Sequence, residues 1–167
     1  MTPNDKECMF VAFNKHIVNE LKDKIPQSKN ITIGTLHSRG YQSIFQNIRS
    51  KIKLEDWKTF KIVKPIAMKE WKDVKRNKIN TKIYNLCEFY DKWRLTNQKN
   101  LNKEIVCEFV NKYNLNVNED DLGKIKQVIW AVNSYNENRN HHVNEKGHKE
   151  FMIDFNDMIY LPVQFNF

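Results

Sequence analysis

Two short clusters concentrate the residue types that can hold a nucleic-acid backbone. The first is Phe13-Asn14-Lys15-His16, directly after the apolar run Cys8-Met9-Phe10-Val11-Ala12. The second is Thr35-Leu36-His37-Ser38-Arg39-Gly40-Tyr41, directly after Ile31-Thr32-Ile33-Gly34. Asn14, Thr35 and Ser38 are helix-capping types, and the hydroxyls of Thr35 and Ser38 also suit a phosphate oxygen. Lys15, His16, His37 and Arg39 are donors. Phe13 and Tyr41 offer aromatic faces on which bases stack. Each residue also has a plainer role open to it: Phe13 as the last core residue of a strand, Thr35 as a satisfied cap, Arg39 as a surface cation.

The elements that carry these clusters follow from the apolar pattern. Cys8 to Phe13 is a nearly continuous apolar run, which suits a strand buried on both faces, as in a parallel sheet. Ile17, Val18, Leu21 and Ile25 then recur at helical spacing, and Pro26 stops the helix. Ile31 to Leu36 is a second, β-branched strand. The helix after it carries Tyr41, Ile44, Phe45 and Ile48 on one face. Strand, helix, strand, helix in this order implies parallel strands joined by a right-handed crossover. Both clusters then lie at the carboxyl ends of adjacent strands, where open α/β sheets bind ligands. Each also opens a helix, whose first N–H groups lack intrahelical partners and favour anions.

The pattern changes after residue 50. From Lys51 to Lys82 there are eleven Lys/Arg against four Asp/Glu, with Trp57, Phe60 and Trp71 interleaved. Ile79, Ile83, Leu86, Phe89, Tyr90 and Trp93 form the stripe of a helix over about 73–96. A second helix is expected over about 99–113 and a third from the acidic start at Asn118–Asp121 to Tyr135. Residues 136–149 read as a polar loop. Phe151 to Leu161 is helix-compatible, with Pro162 as its end, and Val163 to Phe167 alternates like the start of a third strand. The expected class is therefore helix-rich α/β: an α/β segment at 1–50, an inserted all-α subdomain at 51–150 and a return segment at 151–167.

Composition narrows the function. The 167 residues carry a net charge of +8, which favours an anionic partner such as nucleic acid. Cys8, Cys87 and Cys107 are scattered without a CxxC pair, so neither a disulfide scaffold nor a zinc ribbon is expected, and a reducing cytoplasm is the natural compartment. No apolar run approaches the length of a membrane span, and no membrane partner is expected. There is no GxxxxGK[ST] loop to cradle nucleotide phosphates and no apolar strand ending in Asp-Glu to hold magnesium. Asp154 and Asp157 lie three apart, but no third ligand accompanies them. His141, His142 and His148 are irregularly spaced in the polar loop, so no metal site is expected. Asp154 is expected to cap the return helix, and Asp157 to bond a neighbouring loop.

Phe10-Val11-Ala12-Phe13-Asn14-Lys15, followed closely by Ile33-Gly34-Thr35-Leu36-His37-Ser38, resembles motifs Ia and Ib of superfamily 1, UvrD/Rep/PcrA-like DNA helicases. In that family one strand ends in Phe-Asn-Lys and the next in Thr-Phe-His-Ser. Leu36 replaces the usual Phe, and His16 and Ile17 replace small residues. Asp154-Phe155-Asn156-Asp157-Met158 is similar to the family's Asp-Phe-Asp-Asp-Met return segment, with Asn156 in place of an Asp. Motif order and spacing agree along the chain, while the middle hundred residues match in character only. The resemblance implies a partial RecA-like sheet of two or three strands with a helical insert. It implies a chain running from motif Ia to just before Walker B, with the P-loop outside it. It implies that Phe13, Asn14, Lys15, Thr35, His37 and Ser38 line a single-strand track, that the insert faces duplex or strand backbone, and that Asp154, Phe155 and Asp157 form a structural return motif. Partners would be single-stranded or forked DNA and the remainder of the motor. ATP and magnesium would belong to the full-length helicase, with no cofactor held by this chain.

A stand-alone basic nucleic-acid-binding module is the competing reading, and a nuclease using Asp154, Asp157 and the histidines ranks last. Without a phosphate loop or a magnesium carboxylate, the purified chain should not hydrolyse ATP. A DNA-stimulated turnover above about 1 per second in a coupled phosphate-release assay would overturn this expectation.

Overall fold

A computed structural model describes residues 7–48, 50–96, 98, 100–138, 142–143, 147 and 149–167, the side chain of His142 excepted. The chain is helix-rich α/β and divides into two compact units, one of residues 1–49 with 155–167 and the other of residues 50–154. Most of the histidine-containing loop, including His141 and His148, lies outside the described residues.

In the first unit, β1 (Cys8–Ala12) and β2 (Ile31–Thr35) pair in parallel, with Cys8 opposite Ile31 and Ala12 opposite Thr35. Helix α1 (Lys15–Lys24) connects them and ends at Ile25, one residue before Pro26. Helix α2 (Leu36–Asn47) leaves β2 without a loop. The expectation that β1 is buried on both faces is not met. Ala12 alone is buried, while Met9, Phe10 and Val11 are all exposed. Helix α1 packs against β1 and β2, and α2 against β2, yet most of β1 stays uncovered.

The rest of this unit comes from the far end of the chain. Asp157–Phe165 is a helix that packs on α2, with Met158 and Leu161 buried. Gly40 is the reason the two helices can approach. A Cβ placed there would sit 1.4 Å from the carbonyl oxygen of Met158. Pro162 lies inside this helix instead of ending it, and residues 163–165 continue it instead of opening a strand. The helix then closes at Asn166, whose φ of 53° is the left-handed cap conformation.

The second unit contains α3 (Lys58–Glu70), α4 (Ile79–Trp93), α5 (Lys103–Tyr113) and α6 (Leu122–Glu137). Val63 and Ala67 of α3, Ile83, Leu86 and Phe89 of α4, Val106 and Phe109 of α5, and Ile125, Val128 and Val132 of α6 share one core. Asn102 caps α5 through its side chain, which accepts from the Ile105 N–H at 2.9 Å. Asn114 ends that helix at φ 51°.

This unit is not all helix, which corrects the sequence expectation. It holds a three-stranded sheet of β3 (Lys51–Leu54), β4 (His142–Val143) and β5 (Lys149–Ile153), in the order β3-β5-β4. Strands β3 and β5 are parallel, with Lys51 opposite Glu150, and their side chains form an ion pair at 2.8 Å. Residues 151–153 therefore belong to the second unit's sheet, and the return segment proper starts at Phe155 as the chain enters α7 (Asp157–Phe165).

Polar groups fix the sheet against the helices. The Tyr135 hydroxyl accepts from the Met152 N–H at 2.9 Å. The fully buried Lys58 donates to Asn136 Oδ1 at 2.6 Å and lies 5.3 Å from the Tyr135 ring centre. Arg94, 1% exposed in its side chain, donates to Asp154 Oδ2 at 2.9 Å and also pairs with Asp91. Asp154 is thus engaged by Arg94, the C-cap of α4, and does not cap α7, whose N-cap is Asn156. Breaking such a buried pair from one side leaves a charge without compensation.

Replacing Gly40 by Ala should loosen the first unit. Overpacking against backbone costs about 3 kcal/mol, offset by about 1 kcal/mol of helix propensity. Amides of α2 and α7 should then exchange roughly thirty times faster with deuterated solvent. Unchanged exchange would show that the helices separate at no cost.

Candidate nucleic-acid interface

Parallel pairing of β1 and β2 puts both strand-to-helix junctions side by side. Ala12 is opposite Thr35, so the two junctions start about 4.8 Å apart, one strand spacing. At the first, Asn14 accepts from the Ile17 N–H at 3.0 Å and so caps α1. At the second, Thr35 and Ser38 form a reciprocal capping box. Thr35 Oγ1 accepts from the Ser38 N–H at 3.1 Å, and Ser38 Oγ accepts from the Thr35 N–H at 3.0 Å. These caps use one N–H of each helix's first turn. Other first-turn N–H groups, such as those of Lys15, His16, Leu36 and His37, have no intrahelical partner, and both helix dipoles start at this edge.

Phe13 stands between β1 and α1 and is 83% exposed. That exposure decides between its two sequence readings: it is not a core residue. Lys15 is the first residue of α1 and is exposed. His37, the second residue of α2, stacks on Phe155 with ring centres 3.7 Å apart and planes 21° from parallel. Phe155 is 54% exposed. The histidine and the phenylalanine therefore make one aromatic ledge beside the second junction. Sequence reasoning placed Phe155 in a structural return motif and missed this role. Its signal was an aromatic residue within an otherwise capping-rich segment.

Other expected site residues are placed differently. The guanidinium of Arg39 turns back over β2, donating to the Ile33 carbonyl at 3.1 Å and to Gln42 Oε1 at 2.9 Å. Gly34 makes the room, since a Cβ there would sit 2.8 Å from Arg39 Nε. Arg39 thus ties α2 to its own strand. His16 pairs with Glu20 one turn along α1 at 3.2 Å, both side chains exposed. Tyr41 is 37% exposed but lies about 9 Å along the axis of α2 from its cap. Asp157 is fully buried at the start of α7.

The same edge exposes apolar groups. Leu36, at the position where a Phe would stand in the resembled motif, is 44% exposed, and Ile17 is 42% exposed. The chemistry on offer is therefore stacking by Phe13 and the His37–Phe155 ledge, phosphate contact by Lys15 and N-terminal amides, and apolar contact by Leu36.

Elsewhere, among the described residues, no group of three His, Cys, Asp or Glu side chains is arranged to hold a metal ion. No helix among them is long and apolar enough to cross a membrane. In comparisons with known proteins, no family model, no curated protein and no solved structure matches the chain.

The geometry separates two substitutions. Arg39→Ala should destabilise the first unit by about 1–2 kcal/mol, because it removes two hydrogen bonds and packing over Gly34. Phe13→Ala should stay within about 0.5 kcal/mol of the parent, as expected of a side chain outside the core. Exchange of the β2 and α2 amides measures both. A larger effect for Phe13→Ala would return that residue to the core.

Proposed function

We propose that this chain is the single-stranded-DNA-binding portion of a UvrD-like, ATP-dependent DNA helicase, with a partial RecA-like sheet in its first unit. The reading rests on the resemblance of its two strand-end clusters to motifs Ia and Ib. The observation that carries it furthest is the adjacency of the two capped junctions, with an exposed Phe13 on one side and the stacked His37–Phe155 ledge on the other. A strand bound at this edge would find aromatic faces for its bases and N-terminal amides for its phosphates. Lys15 would contact phosphate. Thr35, Ser38 and Arg39 would hold the edge in shape, and His16 and Tyr41 would lie at its margins.

The exposed Met9, Phe10 and Val11 of β1 accord with a sheet that gains further strands and helices from the remainder of the motor. ATP and magnesium would be held by that remainder, since no phosphate loop occurs in this sequence. The second unit would be the insert that approaches duplex at a fork. A cytoplasmic setting fits the three free cysteines, of which Cys8 and Cys107 are exposed.

Binding should be weak, independent of sequence and steeply salt-dependent, because phosphate contacts release counterions. Fluorescence anisotropy with a labelled oligothymidylate measures it across a salt series. Lys15→Ala should weaken binding to every sequence alike and flatten the log–log salt slope by about one. Phe13→Ala should cost about 1–3 kcal/mol of affinity with little change in slope. If single strands are ignored at low salt, or if Lys15→Ala leaves the slope untouched, the proposed track is wrong.

A further inference from the structure

The second unit contains a cleft whose chemistry is opposite to that of the basic chain around it. It is a cavity of about 190 Å³ between the start of α3 and the middle of α4. Its wall is aromatic. The Phe60 and Tyr84 rings stack with centres 4.5 Å apart and planes at 21°, and Trp57 meets Tyr84 edge-on at 5.5 Å and 73°. Two π faces thus meet at nearly a right angle. Trp57 and Tyr84 are 56% and 44% exposed, more than packing alone requires. The cluster already attracts a cation from within the chain, since Lys64 Nζ lies 5.5 Å from the Phe60 ring centre.

The rest of the lining is acidic. Glu88 and Asp91 lie four and seven residues after Tyr84, so α4 presents all three on one face. Asp56 enters from the segment before α3, and Asp154 from the end of β5. Arg94 neutralises part of this charge through Asp91 and Asp154, while Asp56 and Glu88 stand exposed at the rim. Thr59 is 5% exposed and also lines the cavity, with its hydroxyl buried out of an occupant's reach.

A nucleic acid is a poor occupant, because four carboxylates repel phosphate. A metal ion is also a poor fit, since among the described residues no three carboxylate, imidazole or thiol groups converge to hold one. An organic cation on an apolar stem suits both walls: the charge faces the carboxylates and the flat or methylene part lies on the rings. The volume equals that of roughly six waters at about 30 Å³ each, near the size of a short alkylguanidinium. We propose that this cleft is a binding site for a guanidinium or ammonium group on an alkyl stem, supplied by a basic side chain of a partner or by a free polyamine. It is independent of the DNA reading, and either can fail alone.

Isothermal titration of the intact chain with N-acetyl-arginine amide, N-acetyl-citrulline amide and spermidine tests it, with Trp fluorescence as a second signal. Saturable binding of the arginine amide or spermidine is expected, with the uncharged citrulline amide at least about ten times weaker. The tighter of the two cations identifies the source. The double variant Asp56→Asn/Glu88→Gln, at exposed positions, should weaken binding by about tenfold or more. Tyr84→Ala should weaken it by about threefold to tenfold. Equal binding of arginine and citrulline amides, or no effect of the double variant in a folded protein, overturns the proposal.

Discussion

The first unit depends on a single close approach between main chains. At Gly40 the helix α2 has no side chain, and the carbonyl of Met158 occupies the place a Cβ would take. The strands beside it bury little: of β1, only Ala12 is covered. The packing that orders this unit is therefore chiefly that of α2 on α7, whose interior-facing Ile44 and Leu161 are both fully buried. Because α2 leaves β2 without a loop, fixing α2 also fixes the capped junction at Thr35–Ser38. Arg39 then braces the helix on the strand through the Ile33 carbonyl. The candidate interface at one end of the sheet is thus held in place by a contact made by residues more than a hundred positions away.

The second unit solves a different problem with buried polar groups. Its sheet is formed by segments far apart in sequence, and hydrophobic packing alone would leave the register of β5 poorly specified, because Glu150 to Ile153 are all buried and no face of the strand is distinguished. Directional bonds supply the missing specification. Tyr135 accepts from the Met152 N–H, Lys51 pairs with Glu150, and Arg94 pairs with Asp154 just beyond the strand. Each costs desolvation, so their net stabilisation is small, but a slip by one residue would leave several of them broken at once. Ion pairs at the surface are weaker guides. Glu55, whose carboxyl is held below the usual range chiefly by a hydrogen bond from Lys61, helps to anchor the turn between β3 and α3.

Helices with a clean apolar stripe were legible in the sequence: the 3.6-residue spacing of Ile79, Ile83, Leu86, Tyr90 and Trp93 is that of α4 itself. The adjacent junctions were legible because capping residues directly followed β-branched or apolar runs. Three things were hidden, each for a physical reason. Helix α3 carries Pro65 on its exposed side and lysines around a short stripe of Phe60, Val63 and Ala67, so breaker and charge signals masked it. Strand β3 alternates over only four residues, and β5 is buried throughout, which removes the period that separates strand from helix. The roles of Asp154 and Arg39 depended on partners that no local pattern announces: one lies sixty residues away at the C-cap of α4, the other is a bare main-chain carbonyl.

The placement of charge also changes what the net +8 implies. Several lysines of the second unit are engaged by acids of the same unit: Lys82 with Asp121 and Lys124 with Asp73, both at 2.5 Å, beside Lys51 with Glu150. The hydrogen bond from Lys124 holds the Asp73 carboxyl below its ordinary range. Pairs of this kind project little field beyond about 10 Å at ordinary ionic strength. The excess positive charge is then carried by unpaired positions, among them Lys15 at the first junction, while the aromatic cleft keeps an excess of carboxylates. A basic sequence thus folds into a surface with separate regions of opposite preference. The strand-end junction presents the exposed Lys15, whereas the cleft of the second unit presents the exposed Asp56 and Glu88.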